Sequence, residues 1–361
     1  MERIKATYRI HAPAADSRAR AEALAVEQSV EMPLSAIRDE RVLREVVATV
    51  EAVHPGGAHF DVVLGLAPAT TGNEASQLLN MLFGNCSLQP EVELVDVAFP
   101  RGYERCFPGP RFGMDGIRRL VGASGRPLTC TALKPQGASI EHLAQLARTF
   151  ALAGIDVVKD DHGIANQSYG RFEERVPAVQ HAITEANRET GGRTVYAPTF
   201  SGGPLALADQ ARVAKEHGVK MALIAPMLVG PAAFVELQAD LDVPVIAHPA
   251  LAGAARIAPN VLLGTIFRLF GADATIFPNH GGRFSYGRDT CLAIAEAARR
   301  PWQNVSATLP VPAGGMTVER VPQMLRDYGQ DVMLLIGGGL LEAGDRLLQR
   351  STEFVNATRK A

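Results

Sequence analysis

The chain has 361 residues, of which 47% are hydrophobic and 20% charged, and its formal net charge is -2. This length suits one large domain with a smaller companion, and the composition supplies enough apolar side chains for sizeable cores. The near-neutral charge, without a long basic run, argues against a nucleic-acid-binding protein and favours a small partner. The four cysteines show no CxxC spacing, which is typical of reduced thiols in a cytosolic enzyme.

Hydropathy along the chain predicts the cellular compartment of the protein. The amino terminus, MERIKATYRIHAPAADSRARAEALAVEQS, lacks an apolar stretch long enough for a signal peptide. Nothing later in the sequence is long and apolar enough to span a bilayer. We therefore expect a cytoplasmic protein without a membrane partner.

Residues 1–118 mix strand and helix patterns and are predicted to form a small α+β, ferredoxin-like domain. Alternating apolar residues indicate its strands, and the turn residues Pro-Gly-Gly indicate a hairpin between two of them. The predicted elements are a strand at 6–12, a helix at 16–27, the hairpin strands at 40–53 and 58–65, a helix at 74–83, a strand at 91–99, a linker at 102–111 and a helix at 114–120.

Residues 119–361 alternate apolar, strand-like runs with segments of helical periodicity. About eight such units predict a closed (β/α)8 barrel, which ends in a carboxyl-terminal helix. A doubly wound open sheet is the alternative, although no GxGxxG motif opens the first unit. The predicted barrel strands are 128–133, 155–158, 194–197, 221–225, 243–247, 274–277, 306–311 and 332–336.

The most polar strand end follows the second predicted barrel strand, where an apolar run leads into Lys159, Asp160, Asp161 and His162. In a barrel the carboxyl ends of all strands meet on one face, and active sites lie there. Two adjacent carboxylates repel each other and resist burial unless a cation offsets their charge. The cluster therefore indicates a metal site, and a solvated Lys-Asp loop is the alternative.

Other predicted strand ends add functional groups to the same face. Lys134 follows the first strand, His248 follows the fifth, and a Gly-rich loop carrying Arg283 follows the sixth. The seventh and eighth strands end in glycine clusters, a pattern typical of the phosphate site of such barrels, so we expect a phosphorylated substrate. Tight turns are the other explanation for the glycines, and a core position is the other explanation for His248. The predicted phosphate-binding residues are Ala313, Gly314, Gly315, Gly337, Gly338 and Gly339.

These segments resemble the RuBisCO large subunit and the RuBisCO-like proteins over nearly the whole chain. The sequence KDDHGIANQ, which begins at Lys159, resembles KDDENVNSQ of RuBisCO. There the lysine is carbamylated by CO2 and binds Mg2+ together with the second aspartate and the glutamate. The resemblance implies that Lys159, Asp161 and His162 bind a metal ion, with Lys159 as a carbamate.

Further matched segments imply further roles. The stretch FPGPRFGMDGIRRLVGASGRPLTCTALKPQ resembles the FQGP…GRPL…IKPK block of the family and places Lys134 on its catalytic lysine. His248, in VIAHPAL, falls on the family's fifth-strand histidine, and Arg283 lies where the mobile sixth loop of RuBisCO has its CO2-directing lysine. Glu27 and Asn85 are similar to amino-terminal residues that reach the neighbouring subunit's active site. A homodimer or higher homo-oligomer with shared sites is implied.

Departures from the family pattern narrow the expected activity. His162 replaces the glutamate ligand, and because imidazole is softer than carboxylate, preference shifts from Mg2+ towards Mn2+, Zn2+ or another transition metal. Gln136, Pro249 and Ala252 replace a lysine, an arginine and a histidine, and Arg283 is not a compact point charge as lysine is. We expect a RuBisCO-like protein whose substrate carries one phosphate, and not a ribulose-bisphosphate carboxylase.

The shared site implies chemistry through a metal-stabilised enediolate. An unperturbed lysine, with a pKa of about 10.4, is a poor base at neutral pH, whereas a carbamate on Lys159 supplies an anionic oxygen and a buried Lys134 can shuttle a proton. Our first expectation is a lyase or hydrolase that decarboxylates or cleaves a 3-oxo-isoapionate 4-phosphate-type substrate. The alternatives are an enolase or isomerase of methionine salvage, acting on a diketo or methylthio-ribulose phosphate, and a non-catalytic phosphate-ligand-binding protein.

Overall fold

The computed structural model describes residues 2–284 and 286–359. The chain divides into two compact units, each built from two segments. The units are Met1–Pro108 with Leu251–Leu262, and Gly109–Ala250 with Leu263–Ala361. The first unit thus includes a short segment from the sequence of the predicted barrel, and the domain boundary after residue 118 stays a prediction.

The first unit is an α+β structure built on an antiparallel sheet. Its strands are β1 (Ile4–Ile10), β2 (Thr49–Pro55), β3 (Phe60–Leu66) and β4 (Val92–Ala98), and its helices include α1 (Ser17–Glu27) and α2 (Ala75–Phe83). The strands pair in the order β2-β3-β1-β4. Every second side chain of β1 is buried, as the period of a strand requires.

One strand predicted for this unit is partly wrong. Residues Val42–Val46 form a helical turn, and the strand begins only at Thr49. The apolar residues of this segment fit both a helical and an extended pattern, because a short apolar run does not distinguish the two. The hairpin that follows is formed as predicted, since β2 and β3 pair antiparallel.

The second unit is a (β/α)8 barrel, as the sequence predicts. Its strands are β5 (Leu128–Leu133), β6 (Val157–Asp160), β7 (Val195–Ala197), β8 (Thr199–Phe200), β9 (Ala222–Ile224), β10 (Val245–Ala247), β11 (Ala274–Pro278), β12 (Leu309–Ala313) and β13 (Met333–Leu335). Two runs of parallel strands, β13-β5-β6-β7 and β8-β9-β10-β11-β12, are hydrogen-bonded within themselves. β12 lies beside β13, which closes the ring.

β7 and β8 together make the third barrel strand, interrupted at Pro198. Proline has no N–H to donate to the ladder, so the hydrogen-bond pattern breaks at this residue. The carbonyl of Pro198 still accepts a hydrogen bond of 2.9 Å from the N–H of Leu223 on β9. The strand therefore continues across the break and joins the two halves of the barrel.

Helices surround the barrel strands, and apolar side chains fill its interior. The interior is formed by fully buried residues such as Leu128, Val157, Leu223, Ile246 and Val311. None of the helices in the described residues combines the length and apolar character needed to traverse a lipid bilayer. The helices are α3 (Gly113–Leu120), α4 (Ile140–Leu152), α5 (Phe172–Thr190), α6 (Pro204–Glu216), α7 (Pro226–Val229), α8 (Pro231–Leu241), α9 (Phe267–Leu269), α10 (Arg288–Arg299), α11 (Val321–Tyr328), α12 (Gly338–Leu341) and α13 (Leu347–Arg359).

Candidate active site at the carboxyl ends of the barrel strands

The end of β6 supplies the most polar part of the site, and strand alternation sends its side chains to opposite sides. Val157 belongs to the barrel interior, so Lys159, two residues later, lies on the same side. Asp160 lies on the other side, towards α5, where the guanidinium of Arg175 is 3.2 Å from its carboxylate. Of the consecutive residues Lys159 and Asp160, the first therefore lies at the barrel mouth and the second lies in the helix layer.

Asp160 has a complete set of protein partners. The hydroxyl of Tyr196 donates to Oδ1 at 2.7 Å, and the N–H of Thr199 donates to Oδ2 at 3.1 Å. Both Asp160 and its ion-pair partner Arg175 have fully buried side chains. No sequence pattern indicated Arg175 or Tyr196, although strand alternation separates Asp160 from its neighbours and implies that it needs partners of its own. Asp160 thus supports the fold and is not available to a ligand.

Asp161 lies just beyond β6 with its side chain 18% exposed. Its Oδ1 accepts a hydrogen bond of 2.5 Å from Nζ of Lys134, and Nδ1 of His162 is 3.8 Å from the same oxygen. Burial raises the pKa of Asp161, but the nearby His162 imidazole and the hydrogen bond and positive charge of Lys134 outweigh burial and hold the pKa below its usual range. Asp161 is therefore an ionised carboxylate at neutral pH.

Lys159 is almost completely buried, with 3% of its surface exposed. Its Nζ donates a hydrogen bond of 2.9 Å to the backbone carbonyl of Asp160. Burial lowers the pKa of Lys159, and the negative charge of Asp161 opposes this only in part. A larger share of this amine is neutral than for a lysine in water, and a neutral amine is the form that reacts with CO2.

The imidazoles of His162 and His248 stack on each other at the mouth of the barrel. Their ring centroids are 4.2 Å apart, and the ring planes differ by 11°. Nδ1 of His248 accepts a hydrogen bond of 3.1 Å from the N–H of Ala250. Burial and the positive charge of Lys159 lower the pKa of His248 to about 2, so this imidazole is neutral and carries its proton on Nε2.

The glycines after β13 lie next to Lys134. A Cβ added to Gly337 would be 3.8 Å from Cε of Lys134. Gly338 begins α12, and a Cβ on Gly339 would approach the carbonyl oxygen of Met316 to 2.8 Å, so the chain segments after β12 and β13 pack closely there. The structure thus brings these predicted phosphate-binding residues together with the predicted catalytic lysine.

The sixth loop is packed against the glycines that follow β12. The N–H of Arg283 donates to the carbonyl of Gly314 at 3.2 Å, and a Cβ on Gly282 would lie only 1.9 Å from the same oxygen. A Cβ on Gly315 would in turn lie 2.9 Å from the backbone nitrogen of Arg283. Only glycine permits such an approach. The Arg283 side chain itself is exposed, with its guanidinium 5.6 Å from the ring centroid of Phe284.

Two polar contacts fix the beginning of this loop. The N–H of Asn279 donates to the carbonyl of Ala313 at 2.8 Å, which places Ala313 at the base of the loop. Nε2 of His280 is 3.0 Å from Oδ2 of Asp327, and Arg288 contacts the other oxygen of that carboxylate at 2.8 Å. His280 therefore anchors the loop to α11.

The two predicted site residues of the first unit are neighbours. Nδ2 of Asn85 donates a hydrogen bond of 2.9 Å to Oε1 of Glu27. Asn85 is exposed, and Glu27 is half-buried at the end of α1. Their contribution to the active site of a neighbouring subunit stays a prediction.

The donor set fits a divalent cation if Lys159 is carbamylated. In the ranges 2–284 and 286–359, no group of three or more His, Cys, Asp or Glu side chains is placed to hold a metal. Asp161 and His162 supply adjacent oxygen and nitrogen donors. A carbamate on Lys159, from the same strand end, would add the third protein ligand. With one imidazole among these donors, both Mg2+ and softer cations such as Mn2+ fit the chemistry.

The separate roles of the two aspartates can be tested by stability. We expect Asp160→Asn to lower the free energy of unfolding by about 3–5 kcal/mol, because it leaves Arg175 as a buried charge without a counter-ion. Asp161→Asn, whose carboxylate is partly exposed, should cost less than about 2 kcal/mol. Urea titrations followed by circular dichroism measure both values. Equal losses of unfolding free energy in the two variants would contradict the separate roles of Asp160 and Asp161.

Known proteins resemble this chain along its whole length. Residues 113–273 match the family model of the ribulose bisphosphate carboxylase large chain, catalytic domain. The 5-methylthioribulose-1-phosphate isomerase of Rhodospirillum rubrum is 53% identical, over 98% of this chain and 96% of that protein. The 2,3-diketo-5-methylthiopentyl-1-phosphate enolase of Geobacillus kaustophilus is 34% identical, over 94% of this chain and 88% of that protein.

A solved structure gives the same assignment. The crystal structure of a RuBisCO-like protein from Rhodopseudomonas palustris matches with a TM-score of 0.93 and 48% identity. The match covers 99% of this chain and 98% of that one. Both the fold and the sequence are therefore shared from end to end, and the chain belongs to the RuBisCO large-chain family as one of its RuBisCO-like proteins.

Proposed function

We propose that the protein is an isomerase that acts on 5-methylthioribulose 1-phosphate or a closely similar ketose phosphate. The observation that carries this proposal is the 53% identity to an isomerase of that name over 98% of the chain. The site supports it with an ionised Asp161 paired to Lys134 and with glycines next to that lysine. Of the expectations from sequence, the relatives support the methionine-salvage alternative and give no support to cleavage of an isoapionate-type substrate.

Isomerisation of such a ketose moves a proton from a hydroxyl-bearing carbon next to the carbonyl to the carbonyl carbon itself. A base removes the proton from the hydroxyl-bearing carbon, and the electron pair forms an enediolate. Reprotonation of the former carbonyl carbon, with transfer of the hydroxyl proton to the former carbonyl oxygen, relocates the carbonyl. The reaction therefore needs a proton carrier near carbon and positive charge near oxygen. Lys134 lies between the carboxylate of Asp161 and the glycine of the proposed phosphate site. We assign it the role of proton carrier.

The remaining polar groups of the mouth hold the substrate and the cofactor. Asp161, His162 and the carbamate of Lys159 would hold Mg2+ or Mn2+, and when bound this ion would supply positive charge for the enediolate oxygens. The carbamate forms when the neutral amine adds to CO2 and loses a proton. Backbone N–H groups of the segments Ala313–Gly315 and Gly337–Gly339 would bind the phosphate. We assign the neutral His248 imidazole the role of donating a hydrogen bond from Nε2 to a substrate hydroxyl. The exposed Arg283 is assigned to the closing of the sixth loop over the substrate.

The activity itself is the first test. With Mg2+ and bicarbonate, the protein should convert 5-methylthioribulose 1-phosphate in H2O into an isomer of equal mass, and the product formed in D2O should carry deuterium on carbon. Proton and phosphorus NMR follow both. Lys134→Met should lower kcat at least about 100-fold because the proton carrier is lost.

Lys215→Met is the matched control, since Lys215 is an exposed lysine that pairs with Asp240 on the surface. It should leave kcat unchanged. Absence of both conversion and deuterium exchange would disprove the isomerase. Turnover of 2,3-diketo-5-methylthiopentyl 1-phosphate alone would instead identify an enolase.

Measurements of metal binding test whether Lys159 is carbamylated. We expect the wild-type chain to bind Mn2+ tightly only when bicarbonate is present, and its intact mass under gentle conditions to increase by one CO2. Lys159→Ala and His162→Ala should each weaken Mn2+ binding at least about tenfold, whereas His142→Ala, an exposed histidine on α4, should not. Electron paramagnetic resonance titrations measure the free ion. Tight binding that does not depend on Lys159 would rule out a carbamate ligand.

Hybrid oligomers test whether sites are shared between subunits. Glu27→Gln and Lys159→Ala chains should each be inactive alone, because Glu27 acts in the partner's site and Lys159 in its own. Random mixing should restore about a quarter of wild-type activity, since half of the dimers are hybrids and each has one intact site of two. The assay follows mixing after reversible dissociation. No recovery would show that each chain works alone.

A further inference from the structure

A small apolar pocket opens at the carboxyl ends of β8, β9 and β10, beside the stacked imidazoles of His162 and His248. The pocket is narrow and opens to solvent at the barrel mouth. Phe200 and Leu223 are completely or almost completely buried, and Leu228, at the rim, is 49% exposed. The other lining residues are Thr199, Ser201, Ala225 and Val229.

The position of the pocket in the ring relates it to the proposed phosphate site. β9, which carries Leu223, is the fourth barrel strand, whereas Gly337–Gly339 follow the eighth. In a closed ring of eight strands these two positions are opposite each other. Lys134 and Asp161 belong to the first and second strand ends, between the two. A substrate with its phosphate at the glycines and its carbonyl near Lys134 therefore extends its far end towards the pocket.

The residues that line the pocket indicate which chemical group suits the end of the substrate opposite the phosphate. The residues that line the pocket include no lysine or arginine, so a second phosphate would have no strong cationic partner there. A sulfide is apolar, polarisable and only a weak hydrogen-bond acceptor, so its transfer from water to such a lining is favourable. The side chains of Phe200, Leu223 and Leu228 offer it apolar contacts.

We propose that this pocket binds the alkylthio end of the substrate and selects it over a hydroxyl or phosphate at the same carbon. The inference rests on the proposed isomerase function, because that function defines which end carries the phosphate. The expected selection is about tenfold or more, the range in which an apolar pocket discriminates a small apolar group.

Two polyol phosphates that cannot react test the pocket by binding alone. Calorimetry of the metal-loaded protein compares 5-methylthioribitol 1-phosphate with ribitol 1-phosphate, and the first should bind at least about tenfold more tightly. Leu228→Gln and Ala225→Leu should reduce this ratio to nearly one, the first by making the rim polar and the second by filling the space. Leu205→Gln is the matched control, because Leu205 is an 85% exposed leucine outside the pocket. It should keep the wild-type ratio.

The same preparations are assayed for turnover of 5-methylthioribulose 1-phosphate, so that the two proposals can fail separately. Preference for the sulfide without turnover rejects the isomerase and keeps the pocket. Turnover with equal binding of the two polyols, or with a ratio that neither pocket variant changes, rejects the pocket and keeps the isomerase. Failure of both polyols to bind rejects the pocket, and it rejects the isomerase as well if turnover is absent. Circular dichroism checks the fold, and Leu228→Gln, at an exposed rim position, stands in if Ala225→Leu does not fold.

Discussion

The alternation of side chains along β6 is the constraint on which the site depends. Because neighbouring residues of a strand face opposite sides, Lys159 faces the barrel and Asp160 faces the helices. The charge of Asp160 is compensated there by Arg175 of α5. This ion pair holds the strand end, so that Asp161, the next residue, begins the loop at the mouth. A shift of one residue would turn Lys159 towards the helices and Asp160 towards the barrel.

The electrostatics of the mouth follow from this arrangement. Two lysines and two imidazoles surround the carboxylate of Asp161, and burial disfavours the charged forms of Lys159 and His248. The Lys134–Asp161 ion pair lies closer to water, with side chains 32% and 18% exposed. The backbone of Gly337 lies next to Lys134 of this pair.

Much of this architecture could be predicted from the sequence, for definable reasons. Buried parallel strands are short apolar runs, so each barrel strand was indicated near its true place. Strand ends meet on one face, so Lys134, Asp161 and His248 could be grouped without knowledge of tertiary contacts. The helical turn at Val42–Val46 was missed because a short apolar run fits both periods. The partnership of Asp160 with Arg175 depends on how α5 packs, which no local pattern encodes.

The burial of Lys159 favours the proposed carbamate. Its Nζ donates to a backbone carbonyl and not to a carboxylate, in a position with almost no access to water. Burying an amine in this way lowers its pKa and costs stability that an aliphatic residue would not cost. A scaffold for phosphate binding gains nothing from that cost. A site that converts the amine into a carbamate ligand does gain, because the same burial that disfavours the cation provides the neutral amine that CO2 requires.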